Sequence, residues 1–92
     1  MIIVAGRITV RPEDREAYVK ASQDAVEAAR ATPGCLDFVV SADPVDVDRV
    51  NVFERWESEE ALTAFRGDGP SGGLEDQILD IKVDQYEIPD RT

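Results

Sequence analysis

Between Arg11 and Cys35 the hydrophobic period changes twice, and this change most narrows the folds open to the chain. Before it, Ile2, Val4, Gly6, Ile8 and Val10 alternate with Ile3, Ala5, Arg7 and Thr9, the period of two of a strand. After it, Leu36, Phe38 and Val40 alternate with Cys35, Asp37, Val39 and Ser41. In between, Glu13 to Ala31 follows about 100° per residue. Ala17, Tyr18, Ala21, Ser22, Ala25, Val26, Ala28 and Ala29 fall on one half, and Glu16, Lys20, Gln23, Asp24, Glu27 and Arg30 on the other. Pro12 suits the start of that helix, and Thr32-Pro33-Gly34 stops it. An alanine-rich inner face lets the helix lie close on a sheet.

The pattern then repeats. Asp43 to Asp48 reads as a turn, and Arg49 to Glu57 as a strand with Val50, Val52, Glu54 and Trp56 on one side and Asn51, Phe53 and Arg55 on the other. The short link makes the second and third strands an antiparallel hairpin. Ser58 is a good N-cap for a helix that runs to about Arg66 and turns Ala61, Leu62 and Phe65 inward. Gly67 to Gly73 reads as a flexible loop and Leu74 to Leu79 as a helical turn. Asp80 to Ile88 is the last strand, with a change of parity that suggests a bulge near Asp84-Gln85, and Pro89 to Thr92 is a tail. The order β-α-β-β-α-β is an α+β, ferredoxin-like pattern: a four-stranded antiparallel sheet with helices on one face. Helices cover one face only, yet Ile3, Ala5, Cys35, Val39 and Phe53 make the other substantially apolar. A second copy is therefore expected there, as a homodimer.

Composition removes several functions. The 92 residues form one domain. Asp and Glu number 20 against 10 Lys and Arg, a net charge of −10, which repels phosphate backbones and anionic membranes. No apolar run approaches the ~20 residues of a membrane span. The first residues lack the charged start and length of a signal peptide. One cysteine, Cys35, precludes an intrachain disulfide, and a cytoplasmic location is the expectation. There is no histidine, so no imidazole serves a catalytic triad, the usual kind of zinc site or haem. No metal or cofactor is expected. The string Gly67-Asp68-Gly69-Pro70-Ser71-Gly72 matches a dinucleotide fingerprint in letters only, since it follows a helix rather than a strand. Asp43, Asp46 and Asp48 lack calcium-loop spacing and read as a solvated turn.

Thr32-Pro33-Gly34-Cys35-Leu36-Asp37-Phe38, then Asp43-Pro44, then Phe53-Glu54-Arg55-Trp56-Glu57-Ser58-Glu59-Glu60-Ala61-Leu62 resembles the antibiotic biosynthesis monooxygenase domain family. The resemblance covers most of the chain and implies a dimeric α+β barrel of ferredoxin-like protomers. It implies a range of activities, among them oxidation of phenols or quinols by dioxygen without metal, flavin or haem, and haem degradation. Phe65 stands where many members carry a histidine, the iron-holding residue of the haem-degrading relatives, which argues against haem chemistry here.

Dioxygen, a triplet, reacts slowly with closed-shell molecules unless they are first made electron-rich, as in a phenolate or enolate. A cofactor-free site needs a dry pocket, a group that holds the anion and, in some cases, a base. The expected activity is therefore monooxygenation of an electron-rich aromatic, quinol-like or enolisable small molecule. The alternatives are a non-catalytic dimeric ligand-binding or accessory domain and an isomerase-type enzyme on a small carbonyl compound. Trp56 either lines a pocket with its indole or closes the core at a strand end. Phe38 and Phe65 are its expected neighbours across the helix–sheet gap. Tyr18 either points its hydroxyl at substrate or satisfies a core carbonyl. Asn51 and Arg7 project from strands as substrate-binding candidates. Arg55 fits better an ion pair with Asp37 or Glu54. Glu54, beside apolar groups on the Trp56 face, is either a base of raised pKa or part of a structural pair.

Overall fold

The computed structural model describes residues 1–67 and 77–89. Strand β1 (Ile2–Val10) leads through a 3₁₀ turn at Pro12–Asp14 into α1 (Arg15–Ala21) and α2 (Gln23–Arg30). Strands β2 (Cys35–Ala42) and β3 (Arg49–Trp56), helix α3 (Glu59–Gly67) and β4 (Ile78–Glu87) follow. The sheet is antiparallel in the order β2-β3-β1-β4, so the first and third strands lie at the centre, as the ferredoxin-like pattern requires.

Strand parity sorts the core as expected on the central strands. Ile2, Val4, Ile8 and Val10 of β1 and Val50, Val52, Glu54 and Trp56 of β3 are all buried beneath the helices. Gly6 shares that face because β4 runs too close for a side chain: a Cβ would collide with the Lys82 carbonyl oxygen and lie 2.7 Å from Val83 Cα. Among the described residues the buried apolar groups form two clusters. One gathers Ile2, Val4, Ala29, Phe38, Trp56 and Leu62; the other gathers Ile8, Val10, Tyr18, Val50 and Val52. Each large apolar side chain so buried contributes roughly 1.5–3 kcal/mol.

Five expectations need correction. The long helix is two pieces joined at Ser22, whose hydroxyl donates to the Tyr18 carbonyl oxygen (2.9 Å), a back-bond that tends to bend a helix. Its buried stripe is narrower than the alanine pattern suggested: Tyr18, Ser22 and Ala29 are buried, with Val19, Ala25 and Val26 half-buried, while Ala17, Ala21 and Ala28 face outward. On β2 the register shifts between Cys35 and Asp37, so Cys35 joins the Phe38 side and Leu36 is exposed. On β4 the irregularity lies opposite Thr9 and Val10, where Asp80 and Ile78 are the successive partners and Leu79 is extra; Asp84 and Gln85 keep regular register. The parity change that suggested a bulge there has another cause: Val83 faces the helix side, while Tyr86, opposite Ile3, faces the open side. Leu79 is strand rather than helical turn; Leu74 to Asp76, the loop Asp68 to Gly73 and the tail from Asp90 lie outside the described residues.

Gly34 seats the helix α3. It adopts φ +91°, its carbonyl accepts the Glu57 amide (2.8 Å), and a Cβ placed on it would sit 2.6 Å from Ala61 Cβ. The Pro33-Gly34-Cys35 turn and the start of α3 are thus in direct contact. Ser58 caps α3, its Oγ accepting the Ala61 amide (3.2 Å).

Candidate functional site

Trp56 ends β3 and is fully buried, at 0% exposure. Phe65 of α3 lies 5.4 Å from its indole at a 32° tilt, and Phe38 of β2 meets both edge-on, with ring centroids 6.4 Å from Trp56 and 5.7 Å from Phe65. These three rings are where helix and sheet close on each other, and edge-to-face contacts of this kind add stability beyond area. The indole Nε1 donates to Glu54 Oε1 at 3.0 Å, so the one polar atom of the indole is satisfied.

Glu54 is 8% exposed. Burial pushes its carboxyl above the usual range, while the indole N–H and the nearby Arg66 charge pull it partly back. Cys35, opposite Trp56 in the ladder, is held as a thiol by its own burial and by the Glu54 and Asp37 charges. Tyr18 belongs to the other cluster, among Ile8, Val10, Val50 and Val52, and does not join the three rings.

Arg7 and Asn51 are register partners on the opposite face of the sheet. That face carries Ile3, Ala5, Val39, Phe53 and Tyr86 beside polar rows, with Phe53 38% and Tyr86 52% exposed. Arg55 Nε pairs with Asp37 Oδ2 there at 2.7 Å, the ion pair expected of it. One pocket therefore cannot gather Arg7 and Asn51 with Trp56: residues of opposite parity are separated by the sheet. A small cavity of about 280 Å³ adjoins Arg7, lined also by Thr9, Asp46, Asp48 and Arg49.

The larger cavity lies elsewhere. A groove of about 700 Å³ runs between the paired helices and β2, an outer strand of the sheet. Its floor is Val19, Val26, Val40 and Ala42; Arg15, Glu16, Lys20 and Gln23 stand at its rim. Val40 packs against both buried clusters, so the groove floor is the outer surface of the core. None of the three rings lines it. Sequence reasoning missed this place. Its signal is Val19, which the helical wheel left off the inner half, together with the outer position of β2.

The β2–β3 turn beside the groove is tightly built. Asp43 Oδ2 accepts the Val45 and Asp46 amides (3.0 and 2.8 Å), and Oδ1 accepts Asn51 Nδ2 (2.8 Å). The Asp46 amide, the Asn51 amide group and the Val45 amide hold the Asp43 carboxyl down at about 2, with Arg49 adding to the effect. Arg15 Nη1 donates to the carbonyl oxygens of Asp43 and Asp46 at 3.1 and 2.8 Å, binding the turn to α1. No helix among the described residues is long and apolar enough to cross a membrane.

An uncharacterized protein of Synechocystis sp. is 34% identical over 61 residues, 66% of this chain and 42% of the relative; the chain thus spans less than half of that curated relative. PA3566 from Pseudomonas aeruginosa superposes with a TM-score of 0.79 at 27% identity, over 96% of this chain and 93% of that one. A Deinococcus radiodurans protein gives 0.84 at 21% identity over 100% and 96%, and an antibiotic biosynthesis monooxygenase gives 0.81 at 19% over 98% and 100%, both likenesses of fold. The family profile "Antibiotic biosynthesis monooxygenase" matches residues 1–70, which include the Pro33-Gly34-Cys35 turn, β3 and α3, and the chain belongs to that family.

Proposed function

We propose that the protein is a cofactor-independent monooxygenase whose substrate is an electron-rich aromatic, quinol-like or enolisable small molecule bound in the groove between α1–α2 and β2. The observation that carries this reading is the groove itself. Its volume of about 700 Å³ is that of a small-molecule site, and its apolar floor is ringed by a few polar groups. Family membership supports the class of reaction.

The chemistry asks little of the side chains. A substrate methylene made acidic by a neighbouring carbonyl loses a proton to solvent at the groove mouth, a proton that the peroxide formed later takes back, and the resulting enolate passes one electron to dioxygen. Radical recombination and loss of water then complete R₂CH₂ + O₂ → R₂C=O + H₂O: one oxygen atom enters the substrate, the other leaves as water, and the substrate supplies the electrons. The protein orients the ring on Val19, Val26 and Val40, an apolar surface that favours the flat ring over water. Trp56, Phe38 and Phe65 act behind the groove, holding α3 and β2 in register, and Glu54 fixes the indole. In this reading a second copy covers the open sheet face, on the strip of Ile3, Ala5, Val39, Phe53 and Tyr86. A lone folded protomer in sedimentation at micromolar concentration would refute that part.

Oxygen uptake tests the reaction. With chelator present and no flavin added, anthrone-like substrates are expected to drive consumption by this stoichiometry and hydroquinones by the parallel hydroquinone + O₂ → hydroxyquinone + H₂O, and Val40→Trp, which fills the groove, to abolish both. No uptake across the panel would overturn the reading. The second reading is a domain that binds a small molecule without turning it over. It is favoured by Phe65, where many relatives place a histidine, and by the closed packing of that ring on Trp56. Ligand-dependent thermal stabilisation with the ligand recovered unchanged would select it.

A further inference from the structure

The groove carries a charge pattern opposite to that of the chain. Acids outnumber bases two to one overall, 20 to 10, whereas the residues lining the groove include two cations, Arg15 and Lys20, and one acid, Glu16. Arg15 is also fixed in place. A single nitrogen, Nη1, spends its protons on the Asp43 and Asp46 carbonyl oxygens, and those carbonyls belong to a turn that Asp43 locks through the Val45 and Asp46 amides. A guanidinium anchored at one end presents its remaining N–H groups in a set direction. It gives up little freedom on meeting a planar anion, and its flat fork matches a carboxylate.

We infer that the groove selects a planar aromatic carboxylate, with the ring on Val19, Val26 and Val40 and the carboxylate on Arg15, supported by Lys20. The inference rests on the proposed small-molecule groove and names the substrate class it takes. Electrostatic selection here runs against the field of the whole chain, so it is local and shortens with salt.

The test uses 2-naphthoate and its neutral isostere 2-naphthamide, titrated into the intact ¹⁵N-labelled chain. Naphthoate is expected to bind about tenfold more tightly than the amide at low salt, moving the amide signals of Val19, Val26, Val40 and Ala42. Arg15→Gln and Lys20→Gln should each shrink that preference, and Arg15→Lys should restore only part of it. Arg15→Gln also frees the β2–β3 turn; Lys20→Gln touches no part of that turn, so a loss with Lys20→Gln reports on charge alone. Equal binding of acid and amide in the groove, or a preference that survives both glutamine variants, would overturn the inference. Preference for naphthoate together with no oxygen uptake on any phenol would instead overturn the oxygenase reading and leave the carboxylate site standing.

Discussion

Gly34→Ala is the sharpest test of how the chain is assembled. Two effects add at this position. The backbone sits at φ +91°, where an L-side chain costs about 1–2 kcal/mol. The new methyl would lie 2.6 Å from Ala61 Cβ, an overlap that must push α3 away from the turn and costs a further 1–3 kcal/mol. The expected loss is about 3 kcal/mol, a large part of the roughly 5–14 kcal/mol that a chain of this length has.

The two effects separate in a double-mutant cycle. Ala61→Gly alone costs about 1 kcal/mol through helix propensity. In the double variant the overlap disappears and only the φ penalty and the helix penalty remain, so the total should be less than the sum of the singles by the overlap, about 1–3 kcal/mol. Urea unfolding followed by fluorescence reads this cleanly, since Trp56 is the single tryptophan and is fully buried. A Gly34→Ala loss below about 1 kcal/mol, or strict additivity with Ala61→Gly, would refute the claim that this glycine is required by contact with α3.

Other expectations follow from the same geometry. Phe38→Ala removes a buried ring that meets both Trp56 and Phe65, so it should cost about 3–5 kcal/mol in urea unfolding, where a surface position would cost a few tenths. Because burial raises the Glu54 pKa in the folded state, the unfolded state gives up that proton first as pH rises; stability is greatest below the unfolded value and declines as pH climbs through the folded one. Glu54→Gln should remove that decline and be the more stable form at neutral pH, and a difference that stays constant between about pH 3 and pH 8 would contradict this. Asp43 has the opposite sign: with its folded pKa at about 2 against an ordinary 3.8, its contribution is present above the unfolded value and fades as pH falls toward 2. Asp43→Ala should therefore be least harmful in acid, read as thermal midpoints across an acid series.

The parts of the fold legible in the sequence are those governed by simple parity. The buried set Ile2, Val4, Ile8, Val10 on β1 and Val50, Val52, Glu54, Trp56 on β3 follows from counting by twos on central strands, where a slip of one residue would turn every side chain over. Single-residue irregularities were not legible. Leu36 and Leu79 are apolar and look like core, yet each is the residue left outside by a register shift, and nothing in composition marks it. The break at Ser22 was hidden for a similar reason, because serine on an alanine face reads as tolerated rather than as a back-bonding residue. Among the candidate site residues, Trp56, Phe38 and Glu54 come together as strand parity implies, and Phe65 meets them from the inward side of α3. Arg7 and Asn51 were separable from them by the same rule: both alternate with the buried residues of their strands, so they belong to the open face. The groove needed coordinates, because it forms between Val19 and Val26 on helices and Val40 and Ala42 on an outer strand, and no local pattern links those positions.

The residues that carry the family resemblance have a physical common ground. Pro33-Gly34-Cys35 and the Glu59-Glu60-Ala61-Leu62 stretch are far apart in sequence, yet Gly34 touches Ala61 and Cys35 faces Trp56 across the ladder. Glu54 then accepts the indole N–H, and Leu62 packs in the same cluster as Trp56. The motif therefore describes one joint, where α3 is seated on the ends of β2 and β3. Such a joint constrains the scaffold and leaves the groove chemistry open. The groove-lining Arg15, Lys20, Val19 and Val26 all lie on α1 and α2, outside the motif. On the proposed reading of the groove, a change in this helical bank would alter what is bound and leave the joint intact.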